Sequence, residues 1–267
     1  MTKFTKLLAA SILGSAMLSA CQPASETKTP VQDVAKKVTK KAQSTDWKYV
    51  GEYGAANWGT MSDKFSTCAT GKLQSPFNIT ADISADLPAL GLNYNAVPMK
   101  VINNGHTIQA DQAGGGQLVV DGTTYNLLQF HFHAGSEYTI DGKSYPLEVH
   151  LVHASDAGAL AVVGVMFEEG AANAELGKIW ANMPAKKGEN AVAGETINVN
   201  KLLPASKQYY RFMGSLTTPP CSEGVNWHMM STPITASQAQ LDAFTAIYPM
   251  NARPLQDENN RLVVLGR

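Results

Sequence analysis

The sequence lacks long hydrophobic runs and has no excess of charge of one sign. None of its apolar stretches reaches the roughly 18 residues that a transmembrane helix requires. Its 21 Lys and Arg against 22 Asp and Glu give a net charge of −1, without the basic excess that nucleic-acid binding calls for. It also has no His-rich tract of the kind expected in a metal carrier. These absences argue against all three classes, while a hydrophobic content of 44% suffices for an ordinary globular core.

The N-terminus has the features of an export signal. Lys3 and Lys6 precede a short apolar run, Leu7 to Leu18, which is typical of a signal peptide; a loose apolar N-terminus is the alternative. The run ends in Leu18-Ser19-Ala20-Cys21, which resembles the lipobox of bacterial lipoproteins. This resemblance predicts a signal peptide over residues 1–20, a lipid anchor on Cys21 and a location on the periplasmic side of a Gram-negative envelope, with Gln22 favouring the outer membrane. Ordinary cleavage without lipidation is the alternative.

Residues 21–45 are rich in Gln, Pro, Ser, Thr, Lys and Ala, which predicts a flexible tether. From Trp47 onward the composition is uniform, so we expect one folded domain over residues 46–267. Three cysteines are an odd number for an exported protein. If Cys21 carries lipid, Cys68 and Cys221 remain as a pair, and an oxidising compartment would allow a disulfide between them. Two free buried thiols are the alternative.

Most of the domain has the texture of β-structure, with short runs of Val, Ile, Tyr and Phe broken by Gly, Asn, Asp and Pro. Helical patterns are sparse and favour only Ser237–Tyr248 and, more weakly, Asn173–Met183. We therefore expect a mainly β single domain with few short helices. The predicted strands are Met99–Ile102, His106–Ala110, Gln117–Val120, Thr123–His133, Leu147–Ala154, Ala159–Phe167 and Leu262–Leu265.

A short quasi-repeat lies in the centre of the chain. Asp121-Gly122-Thr123-Thr124-Tyr125 matches Asp141-Gly142-Lys143-Ser144-Tyr145, and each copy leads toward a segment that contains histidines. A solenoid needs at least three copies, so the pair predicts two similar turns.

The segment from Gln129 to His133 alternates polar and aromatic residues. Because side chains of a strand alternate between its two faces, Gln129, His131 and His133 share one face, and Phe130 and Phe132 point into a core on the other. Two imidazoles on one face can reach a single cation. The segment therefore offers two metal ligands on a rigid strand.

A third ligand must come from the segment around residue 150. There Glu148, His150 and Val152 share one face, and His153 lies on the other, so only one of the two histidines can join the site. If the quasi-repeat is taken literally, His153 matches His133. Glu148 favours His150, because a neighbouring carboxylate commonly orients a metal-bound imidazole.

Three neutral imidazoles would leave a bound zinc ion with an open fourth position. That is the arrangement of catalytic zinc sites, whereas structural sites have four protein ligands. Nitrogen ligands also suit copper and nickel, so the residue types alone leave the metal open.

Five motifs occur in order between Trp47 and the C-terminus: Gln74-Ser75-Pro76, Asn103-Asn104-Gly105-His106, Gln129–His133, Glu148–His153 and Ser215-Leu216-Thr217-Thr218-Pro219-Pro220-Cys221. With these motifs the chain resembles an exported bacterial α-class carbonic anhydrase from Trp47 to its C-terminus. That family has a large, twisted, mostly antiparallel sheet with short helices on its surface, and we expect the same here.

The resemblance implies reversible hydration of CO2 to bicarbonate and a proton, with one Zn2+ per chain and zinc-bound hydroxide as the nucleophile. His131, His133 and His150 would be the ligands. Thr217 would accept the hydrogen of the hydroxide and donate its own to Glu137. The remaining implied roles are orientation of ligands by Gln129 and Glu148, a substrate pocket of Val152, Val162, Leu216, Thr218 and Trp227, and a proton shuttle at His106 served by waters near Tyr49, Asn104 and Gln109.

Some positions depart from the family or lie outside its site. Ala134, Tyr138 and Phe212 replace residues common in relatives, which affects the outer hydrogen bonds and leaves the ligands intact. Asn251 and Arg253 resemble positions that support the site from outside, and His228 is expected to be structural. The rival hypothesis is a catalytically inactive binding module or a zinc-binding protein on the same fold. Nothing in the sequence distinguishes a monomer from a dimer.

Overall fold

The structure is a computed structural model that describes residues 45–266. The predicted signal peptide, the lipid anchor at Cys21 and the tether up to residue 44 lie outside the described residues. Within the described part of the chain, no helix has the length and apolar character needed to cross a bilayer.

Alternating sequence patterns produce strands throughout residues 78–266. The strands are β1 Asn78–Ile79, β2 Ile83–Ala85, β3 Gly91–Tyr94, β4 Val97–Asn103, β5 Ile108–Asp111, β6 Gly116–Val120, β7 Thr123–Ala134, β8 Thr139–Ile140, β9 Leu147–Ala154, β10 Leu160–Glu169, β11 Gly188–Ile197, β12 Tyr209–Ser215, β13 Glu223–Met230, β14 Ile234–Ala236 and β15 Val264–Gly266. The α-helices are α1 Trp58–Met61, α2 Thr67–Thr70, α3 Ala174–Trp180 and α4 Gln238–Thr245, with 3-10 turns at Ala55–Asn57, Asp63–Phe65 and Val199–Leu202.

Thirteen of these strands form one sheet within residues 45–266. Its main order is β11-β4-β5-β7-β9-β10-β13-β12-β15-β2; β6 pairs with β3 and β7, and β14 pairs with β10. Most pairs are antiparallel, and β10–β13, β10–β14 and β15–β2 are parallel. The short strands β1 and β8 form a separate parallel pair. The prediction of a mainly β fold on a large, mostly antiparallel sheet is confirmed.

The predicted strands were accurate near the centre of the sheet and weaker elsewhere. Leu147–Ala154 is β9, and Thr123–His133 is β7 without its last residue. The start of the predicted strand at His106 was wrong, because β5 begins at Ile108. The side chain of Asn104 accepts the N–H groups of His106 and Thr107 and so holds a turn there. No prediction covered β12 and β13, although β13 carries Trp227.

The quasi-repeat forms two similar turns, as predicted. Asp121 and Gly122 have φ of 49° and 75°, and Asp141 and Gly142 have φ of 49° and 79°. Two successive positive φ values are typical of type I′ turns, in which Asp-Gly is a favoured pair. The first turn joins β6 to β7 as a hairpin, and the second closes an isolated bridge after β8.

The sheet separates two sets of buried side chains. Phe130 and Phe132 of β7 are fully buried in the larger core, where Phe132 lies 4.6 Å from Trp180 of α3 between ring centroids. Both predicted helices are present, and each begins at a capping side chain, Asn173 for α3 and Ser237 for α4. Because β7 buries its two phenylalanines on this side, its histidines must project on the other.

A disulfide joins Cys68 of α2 to Cys221, which follows the end of β12. The two cysteines are 153 residues apart and their Cα atoms are separated by 5.0 Å. In the chain-entropy model, a cross-link over a loop of this length stabilises the fold by at most about 5 kcal/mol. It also ties the N-terminal segment to the loop that carries Thr217 and Thr218.

Candidate metal centre and active-site cavity

Three histidines of the central strands converge on one point. His131 of β7 lies directly opposite His150 of β9 in the antiparallel ladder, and His133 follows two residues along β7. One ring nitrogen of each imidazole lies within 4.8 Å of the corresponding nitrogens of the other two. A single metal ion can bridge nitrogens at this separation, because zinc–nitrogen bonds are about 2 Å long.

The other ring nitrogen of each imidazole has a hydrogen-bond partner. The pairs are His131 Nδ1 with Gln129 Oε1 at 2.9 Å, His133 Nδ1 with the Asn251 carbonyl oxygen at 2.8 Å, and His150 Nε2 with Glu148 Oε1 at 2.7 Å. Since each partner atom is an acceptor, the imidazole must donate to it. The remaining nitrogens therefore keep their lone pairs for a metal.

Burial keeps these imidazoles neutral. It lowers the pKa of His131 well below 6.5, that of His133 to about 4 and that of His150 to about 3. For His131, the neighbouring His133 and His150 lower the pKa further. Neutral imidazole is the form that binds a metal.

One buried nitrogen of the cluster indicates whether a metal ion fits. His133 Nε2 is buried and has no hydrogen-bond partner among the described residues. Glu137 Oε2 lies 3.4 Å from this nitrogen and 3.9 Å from His150 Nδ1. Leaving a buried polar atom unpaired is costly, so the donor set fits a metal ion.

His153 lies on the opposite face of β9 and is excluded from this cluster. Its Nε2 is 2.9 Å from the Tyr94 hydroxyl and its Nδ1 is 3.2 Å from the Ala161 carbonyl oxygen. His228, on β13, is likewise buried away from the three histidines. The geometry thus agrees with the choice of His150 over His153.

Glu148 makes more contacts than the sequence indicated. Its Oε2 accepts the backbone N–H groups of Glu137 and Tyr138, at 2.7 and 3.1 Å, while Oε1 contacts His150. Burial raises the pKa of Glu148 to about 8, and the two backbone donors oppose that rise. One carboxylate therefore orients His150 and also holds the backbone of Glu137.

Asn251 is the main contributor that sequence reasoning underestimated. Besides accepting from His133 through its carbonyl, it accepts the Ala134 N–H on Oδ1 at 2.7 Å. Its Nδ2 donates to the carbonyl oxygens of Phe132 and His106, at 2.9 and 3.1 Å. Fully buried Asn251 thus links a ligand histidine to the predicted shuttle. A single asparagine 118 residues from His133 carries no local pattern that would have revealed this.

Thr217 and Glu137 lie together at the edge of the histidine cluster. Burial raises the pKa of Glu137, and its contacts with His133 and with the hydroxyl of Thr217 oppose the rise. The backbone N–H of Arg253 donates to Glu137 Oε1 at 2.9 Å. The Arg253 guanidinium donates to the carbonyl oxygens of Ser75 and Cys68, which anchors this corner of the site.

Two small cavities open beside the histidines and share Gln129, His131 and Thr218. The first has a volume of about 110 Å³ and a largely apolar lining that adds Val152, Val162, Leu216 and Trp227, with His150 and Thr217 beside them. The second has a volume of about 140 Å³ and is lined by Trp47, Tyr49, Asn104, His106, Thr107, Gln109 and His133. The structure therefore brings all the predicted pocket and relay residues to one place, in an apolar and a polar half.

His106 lies at the outer end of the polar half. Its ring stacks on Trp47, with centroids 3.8 Å apart and planes inclined by 15°. The turn that presents it contains Gly105 at φ 92°, a conformation that favours glycine. Burial and the nearby Lys48 lower the pKa of His106, while Asp46 opposes them.

Tyr138 and Phe212, two of the three positions that depart from the family, belong to an aromatic cluster behind the three histidines. Tyr138 contacts Trp227, Phe212 and Phe77, with ring centroids separated by 4.9, 5.5 and 5.6 Å. Tyr138 and Trp227 also lie edge-on to His150. These substitutions therefore change the packing behind the ligands and leave the ligand set complete.

Comparison with known proteins agrees with this geometry. The family model for eukaryotic-type carbonic anhydrase matches residues 53–266. A protein of Pectobacterium carotovorum described as carbonic anhydrase is 43% identical over 249 residues, which cover 93% of this chain and 96% of the relative.

Two solved structures have the same fold. The α-carbonic anhydrase of Photobacterium profundum has a TM-score of 0.78 and 48% identity, covering 82% of this chain and 100% of its own. That of Thermovibrio ammonificans, in complex with the inhibitor sulfanilamide, has a TM-score of 0.79 and 43% identity, covering 82% and 98%. With three convergent histidines at the centre of this sheet, the chain belongs to the α-carbonic anhydrase family.

Proposed function

We propose that the protein catalyses the reversible hydration of CO2 to bicarbonate and a proton, with one zinc ion held by His131, His133 and His150. The observation that carries the proposal is the convergence of three neutral imidazoles, of which His133 and His150 are buried and His131 is partly buried. In each of them, the ring nitrogen that points away from the cluster has a hydrogen-bond partner. When bound there, zinc supplies the positive charge that acidifies water and so provides a nucleophile near neutral pH.

Thr217 and Glu137 would select the group that occupies the reaction centre. The carboxylate of Glu137 contacts the Thr217 hydroxyl. This contact lowers the pKa of Glu137, whereas burial raises it. If the hydroxyl donates to Glu137, its oxygen can only accept from a group on the cavity side. A group in the cavity that donates a hydrogen to Thr217 is held there and keeps a lone pair free. A group that has no hydrogen to donate is disfavoured.

The apolar half of the cavity suits CO2. Val152, Val162, Leu216 and Trp227 present hydrocarbon and an aromatic face beside the three histidines. A nonpolar gas gains by leaving water for such a wall, whereas charged bicarbonate does not. Thr218 is shared by both halves and can donate to the departing bicarbonate.

His106 would carry the proton away. Its pKa is below 6.5, so at neutral pH the ring is mostly unprotonated and can accept a proton from the cavity. Tyr49, Asn104 and Gln109 line the space between it and the metal centre. Asn104 Nδ2 donates to Gln109 Oε1 at 3.3 Å, which orders this polar wall.

The N-terminal features support a proposal about location. A lipobox-like sequence ending at Cys21, a signal-like segment before it and a polar stretch after it favour a lipoprotein anchored on the periplasmic side of the outer membrane. A disulfide in the catalytic domain is in keeping with an oxidising compartment.

Stopped-flow CO2 hydration tests the proposed activity. We expect hydration that disappears when a chelator strips the protein and returns when zinc alone is added back. Hydration that survives complete removal of metal, or none in the zinc-loaded protein, would contradict the proposal. Sulfanilamide, the inhibitor bound to the Thermovibrio protein, serves as an independent probe of the cavity.

A further inference from the structure

The loop that carries Thr217 and Thr218 begins at an irregularity in the sheet. In the ladder between β12 and β13, Gly214 pairs with Val225, but the next residue, Ser215, pairs with Glu223. The extra residue is Gly224 of β13, so the ladder is disrupted beside Ser215 and β13 bends there. The position of Thr217 therefore depends on whatever else holds Ser215.

Ser75 holds Ser215 through two reciprocal hydrogen bonds. The Ser75 N–H donates to Ser215 Oγ at 2.9 Å, and the Ser215 N–H donates to Ser75 Oγ at 3.1 Å. Both serines are fully buried, although they are 140 residues apart in the chain. Water cannot replace a lost partner in a fully buried pair, so the bonds are expensive to break.

The fold makes room for this contact at Gly214. A Cβ atom at that position would lie 2.4 Å from Ser75 Oγ and 2.9 Å from Trp227 Cδ1. Real Cβ contacts are never that short, so any side chain at Gly214 would push Ser75 away. The indole N–H of Trp227 donates to the Ser215 carbonyl oxygen at 3.0 Å, which joins the apolar wall to the same point.

The residue before Ser75 holds the other end of the loop. Gln74 Nε2 donates to the Cys221 carbonyl oxygen at 3.1 Å and to Glu223 Oε1 at 3.0 Å. Gln74 and Ser75 are themselves anchored by the guanidinium of Arg253, at 3.0 and 2.6 Å. Two adjacent residues therefore hold the loop at its beginning and at its end.

We propose that Ser75 is a positioning residue for the Thr217–Thr218 loop: its exchange of hydrogen bonds with Ser215 sets where the two threonines and the Trp227 wall stand relative to the three histidines. The effect on catalysis rests on the proposed CO2 hydration. The effect on the loop does not, because the contacts involve neither a metal nor a substrate.

The substitution Ser75→Ala tests the proposal in the full zinc-loaded chain. Loss of a buried hydrogen bond at this point should lower kcat/KM for CO2 hydration about tenfold. Zinc content should stay at that of the wild-type chain, since none of the three ligand histidines contacts Ser75. In hydrogen exchange, the peptide spanning residues 215–222 should exchange faster, because Leu216 and Cys221 donate backbone hydrogen bonds within the loop.

Ser237→Ala is the matched control. It makes the same chemical change and also removes an oxygen that accepts a backbone N–H, but at the start of α4. It should cost about 1 kcal/mol of stability and leave kcat/KM unchanged. Ser75→Ala removes the acceptor of the Ser215 N–H, and Ser215→Ala removes the acceptor of the Ser75 N–H. Each single variant keeps one of the two bonds, so the double variant Ser75→Ala/Ser215→Ala should lose more activity than either.

Unchanged kcat/KM in Ser75→Ala would overturn the proposal, as would unchanged exchange of the peptide spanning residues 215–222. If Ser75→Ala does not fold, Ser215→Ala tests the other bond of the pair, because it removes the oxygen that accepts the Ser75 N–H. Absence of CO2 hydration in the wild-type chain would refute the proposed function, and the exchange comparison would still decide the role of Ser75.

Discussion

His150 and His153 lie three residues apart on β9 and face opposite sides of the sheet. Their replacement by alanine should separate metal binding from stability. His150 belongs to the histidine cluster, whereas the ring nitrogens of His153 contact the Tyr94 hydroxyl and the Ala161 carbonyl oxygen. The two variants differ little in composition and burial, so each is the control for the other.

The expected cost of His153→Ala follows from its contacts. The change leaves the buried Tyr94 hydroxyl and the Ala161 carbonyl without their imidazole partner, and it opens a cavity in the core. Two unpaired polar groups and a large-to-small substitution together should lower the free energy of unfolding by about 4 kcal/mol. Metal content and kcat/KM at a temperature well below unfolding should be retained.

His150→Ala should have the reverse result. It removes one of three ligands, so we expect the metal to be lost on dialysis against a weak chelator and CO2 hydration to disappear. The Glu148 carboxylate keeps its two backbone donors, which limits the structural damage. Metal analysis, stopped-flow hydration and denaturant unfolding would be measured on both variants, with unfolding followed in the presence and absence of zinc.

Tyr94→Phe gives a second measure of the His153 contact. It removes only the hydroxyl that lies 2.9 Å from Nε2, and should cost about 1 kcal/mol while leaving the metal in place. The reasoning from strand faces is refuted if His153→Ala releases the metal and His150→Ala retains it.

Three further predictions concern single side chains. Glu148→Gln should weaken zinc binding about 10- to 100-fold in a chelator competition. All three hydrogen-bond partners of Glu148 are donors, and an amide cannot accept from all of them. Unchanged zinc affinity would contradict the role of Glu148 in orienting His150. His106→Ala should slow turnover, and imidazole buffer should partly restore it. In the wild type, the turnover that depends on His106 should be lost as the pH falls through a midpoint below 6.5. A midpoint above 6.5, or no rescue by imidazole, would count against the shuttle. His228 is buried and burial lowers its pKa to about 3, so the folded state binds fewer protons than the unfolded state below pH 6.5 and stability is lost as the pH falls from there. His228→Leu should remove that loss and gain about 2 kcal/mol relative to the wild type between pH 7 and pH 5 in denaturant unfolding, and a pH-independent difference between the two proteins would disprove it.

The sequence by itself determined which side chains could act together along each strand. Alternation is a local property of extended backbone, so Gln129, His131 and His133 could be assigned to one face and Phe130 and Phe132 to the other without knowledge of any partner. The same reasoning limited the third ligand to His150 or His153. Resemblance to the family then implied the remaining site residues, and the structure brings the predicted pocket and relay residues into two adjoining cavities.

The tertiary structure decided which strands meet and in what register. His131 stands opposite His150 because β7 pairs with β9 in one continuous register from Gln129 to Ala134. The burial of many side chains, not a local signal, selects that register. The contacts of Asn251 with His133, of Ser75 with Ser215 and of Trp47 with His106 join segments far apart in the chain. No sequence pattern records them, because each depends on where the chain returns after the whole sheet has formed.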